Sequence, residues 1–360
     1  MLKKISRLVA RAGMQMTLLA SAGVLCGGLS TTAQALSFDQ ISQVYFFGDS
    51  LTDSGFNNIW SFPAPLPAGK APTFTTFGGY TYAQYLARDI KGFTLPVYAG
   101  PNPADTITNN SIYPVPGFAT GTLTGVDYAA GGSTTNSTGF VETWAPSLNQ
   151  QIEQYIGTAT GHRADPNAVY FIWSGANDLL TLLNSSPIPS QAQLLAAAQN
   201  AAINVANEVA RLSASGAKRV VVLSLPNIGL TPLITGAALQ THNPALPATV
   251  KTLSFTFNSM LNSQLGRVIK QTGVKVLYVD VYTLLDNVIL ATKAGQPYTV
   301  SGQSFQFVNY TSPACSTVPT AIYCPSTAPN NYVFADTLHP TSMAHRVLSL
   351  QIETLIHQWK

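Results

Sequence analysis

Four short blocks of the sequence carry the residue types that nucleophilic catalysis requires. They are FGDSLTDSG at residues 47–55, DYAAGGS at 127–133, SGAND at 174–178 and FADTLHP at 334–340. A serine hydroxyl attacks an ester efficiently only when a neighbouring base removes its proton, and the pKa of histidine suits that base near neutral pH. Each block alone is a weak signal, but the four together predict acyl transfer through a serine.

Ser50 is the candidate nucleophile, and Asp336 with His339 is the pair that would activate it. Asp336 lies three positions before His339, so one turn of chain can carry both groups on one side. The carboxylate would then fix the imidazole tautomer and stabilise the imidazolium ion. The alternative is that His339 only begins a helix beside Pro340.

Short apolar runs precede two of the blocks and indicate buried strands. The predicted strands are residues 44–47, 169–173, 220–225 and 274–279. The predicted helices are residues 147–156, 191–213, 250–270 and 341–359. This alternation predicts an α/β fold, a three-layer α/β/α sandwich with a mostly parallel sheet and right-handed crossovers. Chemistry in such sheets lies at the carboxyl ends of the strands, where the blocks at 47–55 and 174–178 begin.

Taken in order, the four blocks resemble the serine, glycine, G-x-N-D and D-x-x-H blocks of bacterial GDSL lipases in the SGNH hydrolase superfamily, over residues 40–358. The most similar branch contains phospholipases A, lysophospholipases and glycerophospholipid acyltransferases. The resemblance implies a flavodoxin-like α/β/α domain. It also implies a carboxylic-ester hydrolase that forms an acyl-enzyme at Ser50.

An oxyanion hole, the set of donors that stabilises the tetrahedral intermediate, is also implied by the resemblance. Its donors would be the backbone N–H of Ser50, the backbone N–H of Gly132 or its neighbour Gly131, and the side-chain amide of Asn177. The glycine block departs from the family's pattern, with Asp127 where asparagine is usual. The choice between the two glycines is therefore open.

Other acidic and histidine residues near the blocks are predicted to be structural. Asp49, Asp53 and Asp178 are expected to hold loop backbones by hydrogen bonds, and His345 is expected to be a packed or solvated helix residue. The sequence contains no zinc, P-loop or dinucleotide motif, so no metal and no cofactor are expected.

The substrate class rests on the resemblance and on a proline-rich, aromatic loop at residues 57–76. Both favour a lipid ester, with transient contact at a lipid interface; the aromatic side chains could line an acyl pocket or simply pack the loop onto the sheet. One alternative is a short-acyl or carbohydrate esterase, and acyl transfer to an alcohol is a further option. Another is a non-catalytic surface-binding protein of the same fold, although no triad or oxyanion residue is missing.

Residues 1–35 have the features of a signal peptide. A basic n-region is followed by an apolar stretch over 14–29 and by Ala-Gln-Ala at 33–35. The alternatives are a membrane anchor and a lipoprotein modified at Cys26. We expect a secreted or periplasmic protein of a Gram-negative bacterium, with residues 36–360 as a single domain.

Charge and cysteine content bound the partners. Residues 1–35 hold four of the 18 basic residues and none of the 15 acidic ones, which leaves 14 basic against 15 acidic residues, a net charge of −1. This balance gives no reason to expect a nucleic-acid partner, and no stable protein partner is predicted. Cys315 and Cys324 are expected to form a disulfide. That loop, inside a second long loop at 295–335, ends shortly before Asp336 and is predicted to act as a flap near the active-site mouth.

Overall fold

A four-stranded parallel sheet, in the order β1-β2-β3-β4, lies at the centre of the protein. The computed structural model describes residues 36–54, 74–92, 126–137, 145–315 and 324–359, and the predicted signal peptide lies outside these ranges. The strands are β1 Val44–Gly48, β2 Val169–Trp173, β3 Arg219–Leu223 and β4 Lys275–Val279. Most of their residues are apolar because a parallel sheet is covered on both faces.

The free edge of β1 pairs with the glycine block. The N–H of Phe46 donates to the carbonyl of Val126 at 2.9 Å, and the N–H of Tyr128 donates back to Phe46 at 2.8 Å. Because the pairing is parallel, the chain after Tyr128 runs toward the carboxyl end of β1. This brings residues 127–133 beside the end of the first strand.

Eight helices of the described residues cover the sheet, and they divide between its faces. One face packs against α2, α3, α4, α5 and α6, and the other against α1, α7 and α8. The layers follow from the strands, since alternate residues such as Phe46 and Phe47 point to opposite faces. The helices are α1 Tyr82–Lys91, α2 Leu148–Thr158, α3 Ala176–Leu183, α4 Gln191–Ser215, α5 Pro232–Gln240, α6 Leu246–Thr272, α7 Val281–Lys293 and α8 Ser342–Gln358.

The predicted three-layer α/β/α sandwich is confirmed by this arrangement. The four predicted strands and four predicted helices match β1 to β4 and α2, α4, α6 and α8 to within a few residues. The prediction omitted α1, α3, α5 and α7. Within the stretch 295–335, expected as a loop, the structure forms a small antiparallel hairpin of β5 Tyr298–Val300 and β6 Gln303–Phe305.

Helix caps fix the segments that flank the candidate site. Ser147 Oγ accepts from the N–H of Gln150 at 3.3 Å, and Gln150 Oε1 accepts from the N–H of Ser147 at 2.9 Å. Thr341 Oγ1 caps α8 by accepting from Ala344 at 3.3 Å. The cap on α8 sets where the chain leaves the loop that carries Asp336 and begins the last helix.

Among the described residues, no helix is both long enough and apolar enough to cross a membrane.

Candidate active site

Ser50, His339 and Asp336 form a hydrogen-bonded chain at the carboxyl end of β1. Ser50 Oγ lies 2.8 Å from Nε2 of His339, and Nδ1 of the same ring lies 2.6 Å from Oδ2 of Asp336. All three residues are at most 8% exposed. The structure thus places side by side the three residues that the sequence proposed as a triad.

The two oxygens of the Asp336 carboxylate have different partners. Oδ2 faces the imidazole, while Oδ1 accepts from the N–H of Leu338 at 2.8 Å and from the N–H of His339 at 2.6 Å. Burial by itself raises the pKa of Asp336, but the charge of His339 and these hydrogen bonds outweigh it, so the pKa lies below its ordinary value. The carboxylate is therefore ionised at neutral pH and can hold the Nδ1–H of the ring.

A close approach between β1 and β2 sets the turn that presents Ser50. Gly48 has a φ of +150°, and a Cβ atom there would lie 2.1 Å from the carbonyl oxygen of Trp173. Only glycine fits this position. The turn that follows is closed by hydrogen bonds of 3.0 Å from the N–H groups of Thr52 and Asp53 to the carbonyl of Asp49.

Gln151 on α2 braces this turn. Its Oε1 accepts from the N–H of Gly48 and its Nε2 donates to the carbonyl of Gly48, both at 2.8 Å. The same Nε2 lies 3.0 Å from Ser133 Oγ and from the carbonyl of Pro146. The fully buried amide therefore ties the serine turn to the glycine block. Sequence reasoning missed Gln151, because a single glutamine in an amphipathic helix carries no local signal of such a role.

The backbone N–H groups of the two glycines predicted for the oxyanion hole differ in their hydrogen bonds. The N–H of Gly131 donates to Oδ2 of Asp53 at 2.8 Å, so it is not free to meet an oxyanion. Gly132 has a φ of +83°, and its N–H has no acceptor among the described residues. Asn177, in the first turn of α3, donates through Nδ2 to the carbonyl of Ser133 at 2.8 Å, which fixes the plane of its amide.

Buried carboxylates hold the loops around the serine, as the sequence predicted for Asp49, Asp53 and Asp178. Asp49 accepts from the N–H of Leu51 at 3.0 Å, and burial raises its pKa to about 7. Asp178 accepts from the N–H of Thr135 at 3.0 Å and from its hydroxyl at 2.6 Å. These two carboxyl groups therefore accept hydrogen bonds from loop residues around the serine.

The hydrogen bonds of Asp127 explain why an aspartate stands at this position, where asparagine is usual in the family. Both of its oxygens act as acceptors, from the N–H of Ser54 at 2.9 Å and from the N–H of Ala129 at 3.0 Å. Burial raises its pKa well above the ordinary value, and the nearby charge of Asp53 raises it further. Asp127 thus joins the segment after the nucleophile to the start of the glycine block.

The ring of Phe74 packs beside the imidazole of His339, and a second histidine is buried in the fold. The ring of Phe74 lies 4.8 Å, centroid to centroid, from that of His339, and Phe74 is buried. His345 is buried as well, and its Nδ1 accepts from the N–H of Tyr82 at 3.2 Å. Burial lowers the pKa of His345 to about 3, so the ring is neutral and packed. Of the predicted aromatic loop at 57–76, residues 57–73 lie outside the described residues.

An apolar cavity of about 80 Å³ opens beside Ser50 and Asn177. It follows the carboxyl edge of the sheet beneath the loop that carries His339. Its walls are mainly apolar and include aliphatic side chains of α7 and α8. A substrate carbonyl at Ser50 would therefore have an apolar space next to it.

The predicted disulfide between Cys315 and Cys324 is confirmed by the structure. It supports the triad loop directly: the N–H of Cys315 donates to the carbonyl of Ala335 at 2.7 Å, and the N–H of Ala314 donates to Phe334 at 2.9 Å. Residues 316–323 lie outside the described residues, so the flap remains a prediction. No group of three metal-ligating side chains occurs in the described part of the chain.

Comparison with known proteins identifies the family. A model of GDSL-like lipases and acylhydrolases matches residues 44–352, and the chain belongs to that family. The resemblance inferred from the four sequence blocks is thereby confirmed. Membership also supports the interpretation of the chain as a serine carboxylic-ester hydrolase.

Particular relatives agree with this assignment. The chain is 31% identical to "Esterase EstA" of Pseudomonas aeruginosa over 91% of its own length, but it spans only 48% of that protein, about half. It is 25% identical to "GDSL esterase/lipase At2g40250" of Arabidopsis thaliana, over 86% of this chain and 88% of that one. An acetylxylan esterase from Geobacillus stearothermophilus is matched at 12% identity with a TM-score of 0.37, over 87% of this chain and 93% of the other, which is too distant to bear on the substrate.

Proposed function

We propose that the protein hydrolyses carboxylic esters through an acyl-enzyme at Ser50. The observation that carries the proposal is the hydrogen-bonded chain from Ser50 Oγ through His339 to the ionised Asp336. His339 Nε2, at 2.8 Å, is within reach of the hydroxyl proton. The family match over residues 44–352 supports the same chemistry.

Acylation begins when Ser50 Oγ attacks the ester carbonyl carbon and passes its proton to His339 Nε2. The carbonyl oxygen becomes an oxyanion, which the N–H groups of Ser50 and Gly132 and the side-chain amide of Asn177 would stabilise. His339 then gives its proton to the departing alkoxide oxygen, and the alcohol leaves. The acyl group stays on Ser50.

Deacylation repeats these steps with water as the nucleophile. His339 takes a proton from the water as it attacks the acyl carbonyl, and returns that proton to Ser50 Oγ as the acid is released. Throughout, Asp336 Oδ2 holds Nδ1–H, so that Nε2 is the nitrogen that exchanges protons.

We infer a lipid ester as the substrate, of the phospholipase A or lysophospholipase type, with acyl transfer to an alcohol as a competing outcome. The resemblance to that branch of the family and the apolar space beside Ser50 support this choice. We further infer an exported protein, secreted or periplasmic, from the leader-like residues 1–35. Amino-terminal sequencing of the protein recovered outside the cytoplasm would test export, and cleavage near Ala35 is the expected result.

The test of function is hydrolysis of p-nitrophenyl acetate, p-nitrophenyl palmitate and lysophosphatidylcholine by the wild-type protein and by Ser50→Ala. We expect Ser50→Ala to lower kcat by about 10⁴-fold or more. Ser304→Ala, the same change at an exposed position on β6, is the control and should leave activity unchanged.

Other outcomes select among the alternatives. Equal activity of wild type and Ser50→Ala would mean a different nucleophile. No activity on any ester would favour the non-catalytic binding protein. Strong activity on the acetyl ester with none on lysophosphatidylcholine would favour the short-acyl or carbohydrate esterase.

A further inference from the structure

We propose that the apolar cavity is a binding tunnel for one unbranched acyl chain, and that side chains of α7 at its far end set the longest chain that is hydrolysed well. The inference rests on the proposed function, because it assumes an acyl group on Ser50. In addition to that function, the cavity would bind the acyl part of the substrate, and side chains of α7 would limit the length of that part.

The position of the cavity fits the acyl side of the ester. Ser50 and Asn177 line it beside the predicted oxyanion donors, and Val281, Leu284 and Val288 of α7 line it as well. An acyl chain attached to Ser50 could therefore extend from the carbonyl directly into this space.

The path follows the carboxyl edge of the sheet. Ser50 follows β1, Trp173 ends β2, and Val281 comes just after β4. Since neighbouring strands lie about 4.8 Å apart, the three spacings from β1 to β4 span about 14 Å. That length suits an extended hydrocarbon chain. The apolar lining of this narrow path suits one unbranched chain.

Several polar groups in the walls are already hydrogen-bonded within the protein, whereas Oδ2 of Asp49 makes no hydrogen bond in the described structure. Trp173 Nε1 donates to the carbonyl of Ser224 at 3.0 Å, and Thr231 Oγ1 donates to that of Ile228 at 2.8 Å. The imidazole of His345 accepts from a backbone N–H through Nδ1. A sugar or phosphate headgroup would find few partners there and would lose its hydration without compensation. The cavity is thus suited to the acyl tail and unsuited to the alcohol part of the ester.

The opposite wall comes from α8 and the triad loop. Leu348 and Val347 of α8 and Leu338 of the loop line the cavity, and Leu338 lies next to His339. Leu233 of α5 donates its N–H to the carbonyl of Thr337 at 2.7 Å, which fixes the loop over the cavity. The tunnel is therefore enclosed by ordered elements, and its length is set by the side chains at its end.

The test compares chain-length selectivity in two variants of α7, each of which replaces an aliphatic side chain with phenylalanine. Val288→Phe fills the far end, whereas Leu290→Phe adds a ring on the same helix at a position that is 65% exposed and outside the cavity. The measurement is kcat/KM for p-nitrophenyl butyrate, octanoate and palmitate. We expect Val288→Phe to lower the palmitate-to-butyrate ratio by about tenfold or more, and Leu290→Phe to leave it unchanged.

Leu348→Phe, on the opposite wall, should also lower the palmitate-to-butyrate ratio. If thermal melting shows that Val288→Phe does not fold, the result for Leu348→Phe decides whether the tunnel exists. An unchanged ratio in a folded variant would overturn the tunnel while leaving the proposed function intact, provided that Ser50→Ala is inactive. An equal fall for all three esters would also overturn it. If the wild-type protein hydrolyses none of the esters, the proposed function fails first.

Discussion

At the scale of single residues, Asp336 shows how one carboxylate can both shape a loop and orient a base. Oδ1 accepts two backbone hydrogen bonds and Oδ2 faces the imidazole. Asp336→Asn keeps an oxygen for the backbone but presents an N–H donor to Nδ1, which would favour the wrong tautomer of His339. We expect kcat to fall by about 10³–10⁴-fold with little change in melting temperature. Asp280→Asn, the same change at an exposed helix cap, is the matched control, and a loss below tenfold in Asp336→Asn would contradict the assigned role.

Asn177 is the second residue whose role a single substitution can test. Its Nδ2 donates to the carbonyl of Ser133, and we expect the remaining N–H to meet the oxyanion. Asn177→Ala should lower kcat by about 10²–10³-fold and change KM little, because the missing bond forms only in the transition state. Asn184→Ala, at the exposed end of the same helix α3, serves as control. A rise in KM at constant kcat would instead assign Asn177 to ground-state binding.

Residue types and spacing were enough to propose Ser50, Asp336 and His339 as neighbours, since each lies in a short block with a recognisable order. They were not enough to choose between Gly131 and Gly132. That choice depends on Asp53, whose carboxylate accepts the N–H of Gly131. This contact joins two separate blocks, so neither block signals it alone.

At the scale of secondary-structure elements, the disulfide is the clearest support of the triad loop. Cys315 donates its N–H to the carbonyl of Ala335, the residue before Asp336, and the bridge closes a loop with a sequence separation of 9. For a loop of this size, removing the link should lower the free energy of unfolding by about 3 kcal/mol.

We therefore expect the double variant Cys315→Ser/Cys324→Ser to unfold at lower urea concentration than the oxidised wild type. Its midpoint should match that of the wild-type protein after reduction, which serves as the control. If a demonstrated disulfide can be reduced without moving the urea midpoint, the bridge does not stabilise this fold.

Two of the helices that could not be predicted from the sequence, α5 and α7, lack a clear boundary or a clear apolar period. The predicted strands and helices were those with long, uniform apolar patterns, which tertiary packing then reinforced. Helix α7 begins directly after β4, with Asp280 Oδ1 accepting from Thr283 at 2.9 Å, so no loop signal separates strand from helix. Helix α5 is short and apolar on most sides, so its pattern has no clear period. Both helices help to enclose the site. Because neither was predicted, the cavity could not be predicted from the sequence.

At the scale of the whole molecule, several carboxyl groups of the described residues are buried or partly buried, and of these Glu208 and Glu353 pair with Arg211 and Arg346. Burial raises the pKa of Asp49 and of Glu353 to about 7, and it also raises the pKa values of Asp127, Asp178 and Glu208. The ordinary pKa of aspartic acid in the unfolded chain is 3.8. Each of these groups therefore holds its proton to higher pH in the folded protein than in the unfolded chain.

These pKa shifts determine whether the free energy of unfolding rises or falls with pH. A carboxyl group with a raised pKa stabilises the fold fully below its unfolded pKa, and this contribution is lost as pH rises toward the folded pKa. Asp336 acts in the opposite sense, because its pKa is lowered, but its effect is lost only as pH falls below about 3.8. His345, whose pKa is lowered to about 3, also acts in the opposite sense, because its contribution grows as pH rises toward 6.5. It is one group against Asp49, Asp127 and Glu353, so the raised acids dominate between mildly acidic and mildly alkaline pH.

We accordingly expect the free energy of unfolding to decrease from about pH 5 to about pH 8, as measured by urea denaturation. Asp49→Asn should flatten this slope, since asparagine keeps an acceptor for the N–H of Leu51 but cannot ionise. Asp39→Asn, at an exposed position, should leave the slope as it is in the wild type. A protein more stable at the alkaline end, or an Asp49→Asn variant with the wild-type slope, would show that Asp49 is ionised in the fold and that the turn around Ser50 stabilises its charge.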